Sequence, residues 1–434
     1  MTSPPIGFTE ALRFWLKLGC ISFGGPAGQI ALMHEELVVR RRWISEQRFL
    51  HALNFCMLLP GPEAQQLATY IGWLMHRTWG GLAAGALFVL PSLVLMIVLA
   101  GSYLQFGDLP WVAAMFYGVK PVVTAIVAHA AFRLGSRTLK TRSLISIATV
   151  SFIGSSVFHV PFPAIVALAA LAGFIGGHRW PTQFRSNQRH SADSTPTEDH
   201  AFDGTHTRFN ERRLAGIILA GAIAWLGPMG YLLTTFGWHH TLTQMGWFFT
   251  KAALLTFGGA YAVLPYVYQG AVEHYGWLSP AQMMDGLALG ESTPGPLIMV
   301  VAFVGYLGGF LKAALGAAPF WISGITAACL VTWFTFLPSF VFIFAGGPLI
   351  ESTHNHPRFT APLTGIAAAV VGVILNLTVF FAYHVFWPMG LQGPVDGTAM
   401  LVTLGAAVML FRLKFNVLWV IAFGMLAGLL VKAM

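Results

Sequence analysis

Charged residues are scarce in this chain, and their scarcity excludes an ordinary soluble protein. Asp, Glu, Lys and Arg together make up 9% of the 434 residues, whereas hydrophobic residues make up 56%. Several apolar runs approach 20 residues, roughly the length that a helix needs to cross the hydrocarbon core of a bilayer. The composition therefore predicts an all-α polytopic membrane protein.

Cysteine is also rare, with only Cys20, Cys56 and Cys329 in the chain. Their spacing matches neither a metal site nor a disulfide framework, and we interpret them as small buried side chains. No glycine-rich phosphate loop follows a strand pattern, which argues against nucleotide-driven chemistry. The sequence therefore predicts no cofactor, no metal site and no catalytic residue.

We also expect no cleavable targeting signal, because residues 1–10 have no basic n-region and no small-residue cleavage site. The net charge is +8, but Lys and Arg gather in the loops between apolar segments, where membrane proteins use them to set orientation. We therefore do not expect nucleic-acid binding.

What the chain does contain is an apolar segment interrupted by Pro60-Gly61-Pro62, which recurs as Pro294-Gly295-Pro296. Each proline removes a backbone donor and clashes with the preceding turn, and glycine is a poor helix former, so a helix ends there. Unpaired backbone at membrane depth is tolerated only where it is buried in protein or lines a watery cavity. The two interruptions therefore indicate a substrate site.

The second interruption belongs to a tandem repeat, because the flanking residues match at a constant offset of 234 residues. This register pairs Phe23-Gly24-Gly25 with Phe257-Gly258-Gly259, which form a second pair of breaks. After a short insertion the match resumes at an offset of 247 residues, where Pro91-Ser92 pairs with Pro338-Ser339. Each repeat therefore begins with two broken helices, which are either re-entrant hairpins or full-length discontinuous helices.

The domain boundaries follow from the repeat and from composition. Residues 8–178 form the first repeat and residues 244–434 the second. Residues 179–213 are polar, rich in Arg, Ser, Thr and His, and are expected to form a cytoplasmic linker. Residues 214–234 form an apolar spanning segment without a partner in the repeat, and this extra crossing can reverse the orientation of the second half.

Loop charges indicate that the two homologous repeats are inverted. Lys and Arg mark cytoplasmic loops, and they are present in residues 34–48 but absent from the equivalent residues 268–282. The second half instead carries Arg412 and Lys414 in a loop whose first-half equivalent has no basic residue, and Lys312 is an exception to the pattern. We expect the N-terminus in the cytoplasm and the C-terminus in the periplasm.

A half-helix that starts after a break presents free backbone N–H groups and the positive end of its dipole, which together favour an anion. We therefore predict substrate contacts at the residues that form the breaks. These are Gly24, Gly25, Pro60, Gly61, Pro62, Gly258, Gly259, Pro294, Gly295 and Pro296.

Four side chains beside the breaks recur in both halves. Lys17 and Lys251 lie about two turns before each Gly-Gly pair, and two lysines would match a dianion, although each lysine would also serve by snorkelling to the interface. Ser22 and Thr256 occupy matched positions and either donate to the substrate or satisfy a local carbonyl.

Other polar residues near the breaks do not recur. Glu63 and Glu291 are acidic residues at membrane depth, which makes them candidates for proton coupling or for pairing with a lysine. Asn54, Gln65 and Gln66 lie in the same segment as the first Pro-Gly-Pro and are expected to bind oxyanion oxygens or to cap helix ends.

With these motifs the chain resembles the chromate ion transporter family. The resemblance rests on Lys17 followed by Phe23-Gly24-Gly25-Pro26, on Trp43-Ile44-Ser45 and on Pro60-Gly61-Pro62, each with a partner in the second half. It covers almost the whole chain and matches the long-chain, two-domain form of the family. The second half departs from the pattern at Ala260, where the first half has proline, so we expect the first half to make the more specific contacts.

The resemblance implies a secondary transporter that exports chromate across the bacterial inner membrane and confers chromate resistance. A transporter of sulfate or another tetrahedral oxyanion would use the same fold, and the sequence does not separate the two. A membrane-embedded chromate-reducing enzyme is disfavoured, because such an enzyme needs a redox cofactor. The expected partners are the oxyanion, the lipid bilayer and, if the chain assembles, further copies of itself.

Overall fold

The computed structural model describes residues 6–23, 25–180, 210–257, 259–316, 318–352, 360–390 and 392–433. Within these ranges the chain is helical and contains no strand, which confirms the predicted all-α class.

The first half comprises α1 (Phe8–Ile21), α2 (Gly25–His34), α3 (Glu46–Cys56), α4 (Glu63–Phe106), α5 (Pro110–Thr138), α6 (Arg142–Ser156) and α7 (Phe162–Arg179), and α8 (Glu211–Phe236) follows it. The second half comprises α9 (Thr241–Leu254), α10 (Ala260–Tyr268), α11 (Pro280–Ser292), α12 (Val300–Leu311), α13 (Phe320–Ser352), α14 (Thr360–Phe386), α15 (Gly397–Ala407) and α16 (Val417–Ala433). Short π-helical turns extend α2, α10 and α15, and a 3₁₀ turn precedes α12.

Six helices in the described part of the chain are long and apolar enough to cross a membrane, which supports a multi-pass membrane protein. They are Glu63–Phe106, Pro110–Thr138, Phe162–Arg179, Glu211–Phe236, Phe320–Pro348 and Ala361–Phe386. The unpaired segment expected at residues 214–234 lies within α8.

Helix ends fall where proline and glycine interrupt the sequence. α1 ends at Ile21 and α2 begins at Gly25, which has a φ of 70°. α4 begins at Glu63, directly after Pro62. α11 ends at Ser292, shortly before the second Pro-Gly-Pro. These ends place unpaired backbone groups inside the first third of each half.

The Trp-x-Ser motif of each half serves as a helix start. The Ser45 hydroxyl accepts a hydrogen bond from the backbone N–H of Arg48, and α3 begins at the next residue. Ser279 does the same for the backbone N–H of Gln282, whose side chain accepts from the Ser279 N–H in return. Such caps satisfy backbone donors that the first helical turn leaves unpaired. This motif is therefore structural.

The long helix α4 is folded back on itself. His76 and Arg77 have non-helical backbone angles, with a φ of 55° at Arg77. The segments before and after them approach so closely that a Cβ atom on Gly72 would collide with the backbone of Gly80. Residues 63–75 and 78–106 therefore form a helical hairpin, and α12 with α13 forms the equivalent hairpin of the second half.

The two halves exchange helix contacts reciprocally. α5 of the first half packs against α15 and α16, whereas α14 of the second half packs against α6 and α7. At the crossing points, Gly118 of α5 lies directly on the backbone of Gly424 and Gly428, and Gly365 of α14 lies on Gly173. Small residues allow this close approach of helix backbones. Such reciprocal contact is what a two-fold relation between halves produces.

The cysteines correct one interpretation made from the sequence. Cys56 is buried, but Cys20 and Cys329 are exposed. Lipid tails are as apolar as a protein interior, so a small apolar side chain on the outer surface of a membrane helix has no need of burial.

Candidate functional site

The breaks of the two halves are joined by a pair of equivalent backbone hydrogen bonds. The N–H of Gly61 donates to the carbonyl of Thr256 at 2.8 Å, and the N–H of Gly295 donates to the carbonyl of Ser22, also at 2.8 Å. Ser22 and Thr256 are repeat equivalents, as are Gly61 and Gly295. We call the region around these four residues the junction. Buried backbone N–H groups need a hydrogen-bond acceptor. In each half the glycine of the break finds this acceptor in a backbone carbonyl of the other half.

Only glycine fits between the prolines at the junction. Gly61 has a φ of 129° and Gly295 a φ of 100°, values that side chains disfavour. A Cβ atom on Gly61 would meet the Ser339 hydroxyl, and a Cβ atom on Gly295 would meet Ser92. Ser92 and Ser339 are therefore part of the junction, although neither was predicted from the sequence. Their matched positions in the repeat were the available signal.

The junction is more polar on the side of the first half. Gln29 lies buried on α2, and its side-chain N–H donates to the carbonyl of Gly295. Gln66 is also buried, and its side-chain N–H donates to the Pro60 carbonyl at 2.7 Å. The repeat equivalents of Gln29 and Gln66 are Val263 and Val300. Gln29 was missed because its second-half equivalent is apolar, so it does not recur.

Several buried polar atoms of this region have no hydrogen-bond partner within the described residues. They are the side-chain oxygens of Gln29, Gln65 and Gln66 and the hydroxyl of Ser92. The Ser92 hydroxyl is a donor, and the glutamine amides can turn either a donor or an acceptor toward a ligand. Leaving such groups buried without partners is costly. Their presence is what a binding site for a polar ligand requires.

The hydroxyls of Ser22 and Thr256 donate within their own helices. Ser22 donates to the Leu18 carbonyl and Thr256 to the Ala252 carbonyl, each at 2.6 Å. These hydroxyls were expected either to donate to the substrate or to satisfy a local carbonyl, and the structure shows the second role. The contribution of these residues to the junction is therefore through their backbone carbonyls.

The first turn of α4 points its free donors toward the break. The Gln66 N–H is bonded to the Pro62 carbonyl, so the N–H groups of the three residues before it have no acceptor within the helix. These donors lie at the positive end of the helix dipole, the arrangement that favours an anion.

The two lysines differ in their surroundings. Lys17 is exposed on α1, five residues before the buried Ser22. The Lys251 ammonium is half-buried and lies 5.7 Å from the centre of the Trp247 ring. Contact of either lysine with a substrate stays a prediction.

Both acidic candidates are approached by arginines of α5. Glu291 is buried and accepts a hydrogen bond from the Tyr261 hydroxyl, and the Arg133 guanidinium lies 5.9 Å from the Tyr261 ring. Glu63 is half-buried, and the cation that acts on it is Arg137, one turn after Arg133. Both arginines belong to α5, so this helix contributes positive charge near each of the two acids.

The remaining candidates divide between buried and outer positions. Asn54 is exposed on α3, and Gln65 is buried with its side-chain N–H donating to Thr69 at 3.0 Å. Gly25 and Gly259 are buried beside the starts of α2 and α10. Pro62 and Pro296 are buried, whereas Pro60 and Pro294 are half-buried. Gly24 and Gly258 lie outside the described residues.

Comparison with known proteins places both halves in one family. The family model described as Chromate transporter matches residues 9–174 and again residues 243–429. The two matches correspond to the two repeats.

Full-length relatives carry the same name. The chromate transport protein of Pseudomonas aeruginosa is 33% identical over 390 residues, which cover 87% of this chain and 82% of the relative. The chromate transport protein of Cupriavidus metallidurans is 28% identical over 381 residues, 88% of this chain and 84% of the relative. The probable chromate transport protein of Synechococcus elongatus is also 28% identical, covering 87% of this chain and 85% of the relative.

No solved structure matches the chain. The family match spans both halves, and the relatives are named as transport proteins, in agreement with a chain that moves its substrate without a chemical step. On the repeated match of its two halves, the chain belongs to the chromate transporter family.

Proposed function

We propose that this protein is a secondary transporter that exports chromate from the cytoplasm across the bacterial inner membrane and confers chromate resistance. The observation that carries the proposal is the reciprocal pair of hydrogen bonds that joins Gly61 to Thr256 and Gly295 to Ser22. Interrupted helices that meet between two repeats are the arrangement by which membrane transporters expose backbone groups to a substrate.

The proposal includes an inverted relation between the halves. Reciprocal contacts are expected for a two-fold axis, and the exchange of basic loops between the halves favours an axis in the plane of the membrane over one along its normal. The single unpaired helix α8 supplies the crossing that reverses the second half. The N-terminus is then cytoplasmic and the C-terminus periplasmic.

We place the oxyanion at the junction, nearer to the first half. Donors available there are the Ser92 hydroxyl and the free N–H groups at the start of α4, and the side-chain amides of Gln29 and Gln66 become donors to the oxyanion when they release the carbonyls of Gly295 and Pro60. Their number suits an anion with several equivalent oxygens, such as chromate. The valines at the matched positions of the second half leave that side with fewer donors.

Export needs no nucleotide. With the cell interior negative, moving a dianion outward gains about 4.6 kcal/mol per 100 mV, at about 2.3 kcal/mol per charge. This free energy supports a steep outward gradient without an additional ion.

The test is transport by the purified protein in sealed vesicles. Vesicles loaded with chromate should release it faster than protein-free vesicles, release should accelerate when the membrane potential favours anion exit, and excess sulfate should compete at the same site. The Gly61→Val variant should be inactive, whereas Gly216→Val should be active, because Gly216 lies on α8 with open space around it. Equal release with and without the wild-type protein would overturn the proposal. Release of sulfate but not of chromate would assign the protein sulfate as its substrate.

A further inference from the structure

A second buried polar cluster lies away from the junction, between α4, α5 and α11. Its centre is Asp285 on α11, which is 3% exposed. The Tyr103 hydroxyl donates to the Asp285 Oδ2 atom at 2.9 Å. The Lys120 Nζ atom lies 3.7 Å from the same oxygen. We call these three residues the Asp285 cluster.

The geometry of the cluster leaves one oxygen of the Asp285 carboxylate without a hydrogen bond from the described residues. Both partners of Asp285 converge on Oδ2, and Oδ1 is buried with no hydrogen-bond partner within the described residues. A purely structural ion pair stabilises a buried carboxylate only when its remaining lone pairs are also satisfied. An acidic residue inside a membrane protein with an open oxygen is suited to bind a proton.

The cluster shares helix α11 with Glu291 and includes a partly exposed lysine. Asp285 and Glu291 both belong to α11, and six residues of helix place them about 9 Å apart along its axis. The Lys120 side chain is 29% exposed, and Asp108, in the loop between α4 and α5, acts electrostatically on Tyr103. Among the described residues, the titratable side chains that act on the Asp285 carboxyl are Lys120 of α5 and Tyr103 of α4.

The cluster does not recur in the other half. The positions equivalent to Asp285 and Lys120 are His51 and Ala367. A residue that couples transport to a second ion needs to be present only once, whereas contacts that hold two similar halves together tend to recur. The single occurrence of the cluster therefore favours a role in ion coupling over a role in holding the two halves together.

We propose that Asp285 is the residue that binds and releases a proton during transport, with Lys120 as its partner. This inference rests on the proposed transport function. A proton from water binds Oδ1 and neutralises the carboxylate, which frees the Lys120 ammonium from its counter-ion. Lys120 stays protonated throughout, and its uncompensated positive charge then favours binding of the oxyanion at the junction. When the proton leaves to the other side, the carboxylate recaptures Lys120 and the oxyanion is released there, so the proton and the oxyanion cross in the same direction.

The experiment separates exchange from proton coupling. Purified protein is placed in vesicles loaded with chromate, the external pH is held constant, and the membrane potential is clamped to zero by a potassium ionophore with equal potassium on both sides. Two rates are measured: exchange of internal chromate against labelled external chromate, and net chromate efflux when the inside is made more acidic. Exchange needs no net proton movement, whereas acid-stimulated efflux does.

For the wild-type protein we expect both activities. The Asp285→Asn variant mimics the protonated state, so it should retain exchange and lose the acid stimulation. The matched control is Glu273→Gln, which removes an exposed carboxylate of the same half and should keep both activities. If Asp285→Asn is unstable because Lys120 loses its counter-ion, the variant that combines it with Lys120→Gln removes both charges and should also lose the stimulation.

Three results would overturn the inference. One is acid-stimulated efflux that persists in the Asp285 variants, and another is loss of exchange together with the stimulation in folded Asp285→Asn protein. The third is wild-type chromate efflux that does not respond to the internal pH. Absence of exchange in the wild type is a different result, because it contradicts the transport function on which the inference rests.

Discussion

At the scale of single residues, the junction depends on two glycines that combine a disfavoured backbone conformation with a lack of space. Gly61 and Gly295 have positive φ angles and lie against the hydroxyl-bearing side chains of Ser339 and Ser92. The two requirements are separable, because Gly316 also has a positive φ, of 61°, but has open space around it.

We predict that Gly61→Ala and Gly295→Ala lower stability and transport, whereas Gly316→Ala lowers stability only. The conformational penalty is about 1–2 kcal/mol at each site, and crowding adds about 1–3 kcal/mol at the junction alone. Thermal unfolding and chromate release from vesicles measure the two effects. Normal transport by both junction variants would show that the breaks only bend the helices.

The lysines can be tested at the same scale. If Lys17 and Lys251 hold a dianion, the double Gln variant should bind chromate about tenfold more weakly or worse, because a charged hydrogen bond contributes about 1.5–3 kcal/mol. Arginine at both sites should partly preserve affinity. Binding to purified protein is the measurement. Unchanged affinity at normal membrane abundance would leave the anion to the helix starts and to the polar side chains at the junction.

At the scale of helices, orientation is the property to test. We predict that Asp108, between α4 and α5, and Arg412, at the end of α15, lie on opposite faces of the membrane, periplasmic and cytoplasmic. Each is replaced by cysteine in a chain whose own three cysteines are changed to alanine, and labelling with an impermeant maleimide reports the accessible face. Labelling of both from the same side would contradict the inverted relation.

A third cysteine, at the exposed position of Gln47, distinguishes the two forms of the broken helices. Accessibility from the cytoplasm would indicate re-entrant hairpins, and accessibility from the periplasm would indicate crossing helices. The result does not depend on the substrate.

Helix positions were largely predictable from the sequence because their signals are local. Clusters of proline and glycine end helices, although a single proline such as Pro121 lies inside one, so the ends of α1, α3 and α11 fall at the predicted breaks. The role of α5 was not predictable, because its contacts come from packing between distant segments. Asp285 escaped detection for a related reason: it lies away from the breaks and its equivalent, His51, is not acidic.

At the scale of the whole molecule, the halves are held together by exchanged helices. Gly118 of α5 lies directly on the backbone of α16, and Gly365 of α14 lies on that of α7. Neither crossing admits a larger side chain without separating the helices.

We predict that Gly118→Val destabilises the protein by about 1–3 kcal/mol or more, because added carbon atoms would overpack the crossing. Gly216→Val is the matched control, since both glycines are in helices but only Gly118 has close neighbours. Thermal unfolding in detergent compares the two variants. Equal unfolding temperatures would show that α5 and α16 do not pack as described.

The paired hydrogen bonds at the junction have a consequence for the energetics of transport. A state open to one side that breaks the bond at Gly61, and a state open to the other that breaks the bond at Gly295, would each lose one backbone bond of the same length and type. Because each open state loses one equivalent hydrogen bond, this contribution gives the two states similar free energies, and the protein does not accumulate in either of them. The protein would then act as a reversible carrier, in which the gradients on the two sides of the membrane set the direction of net flow.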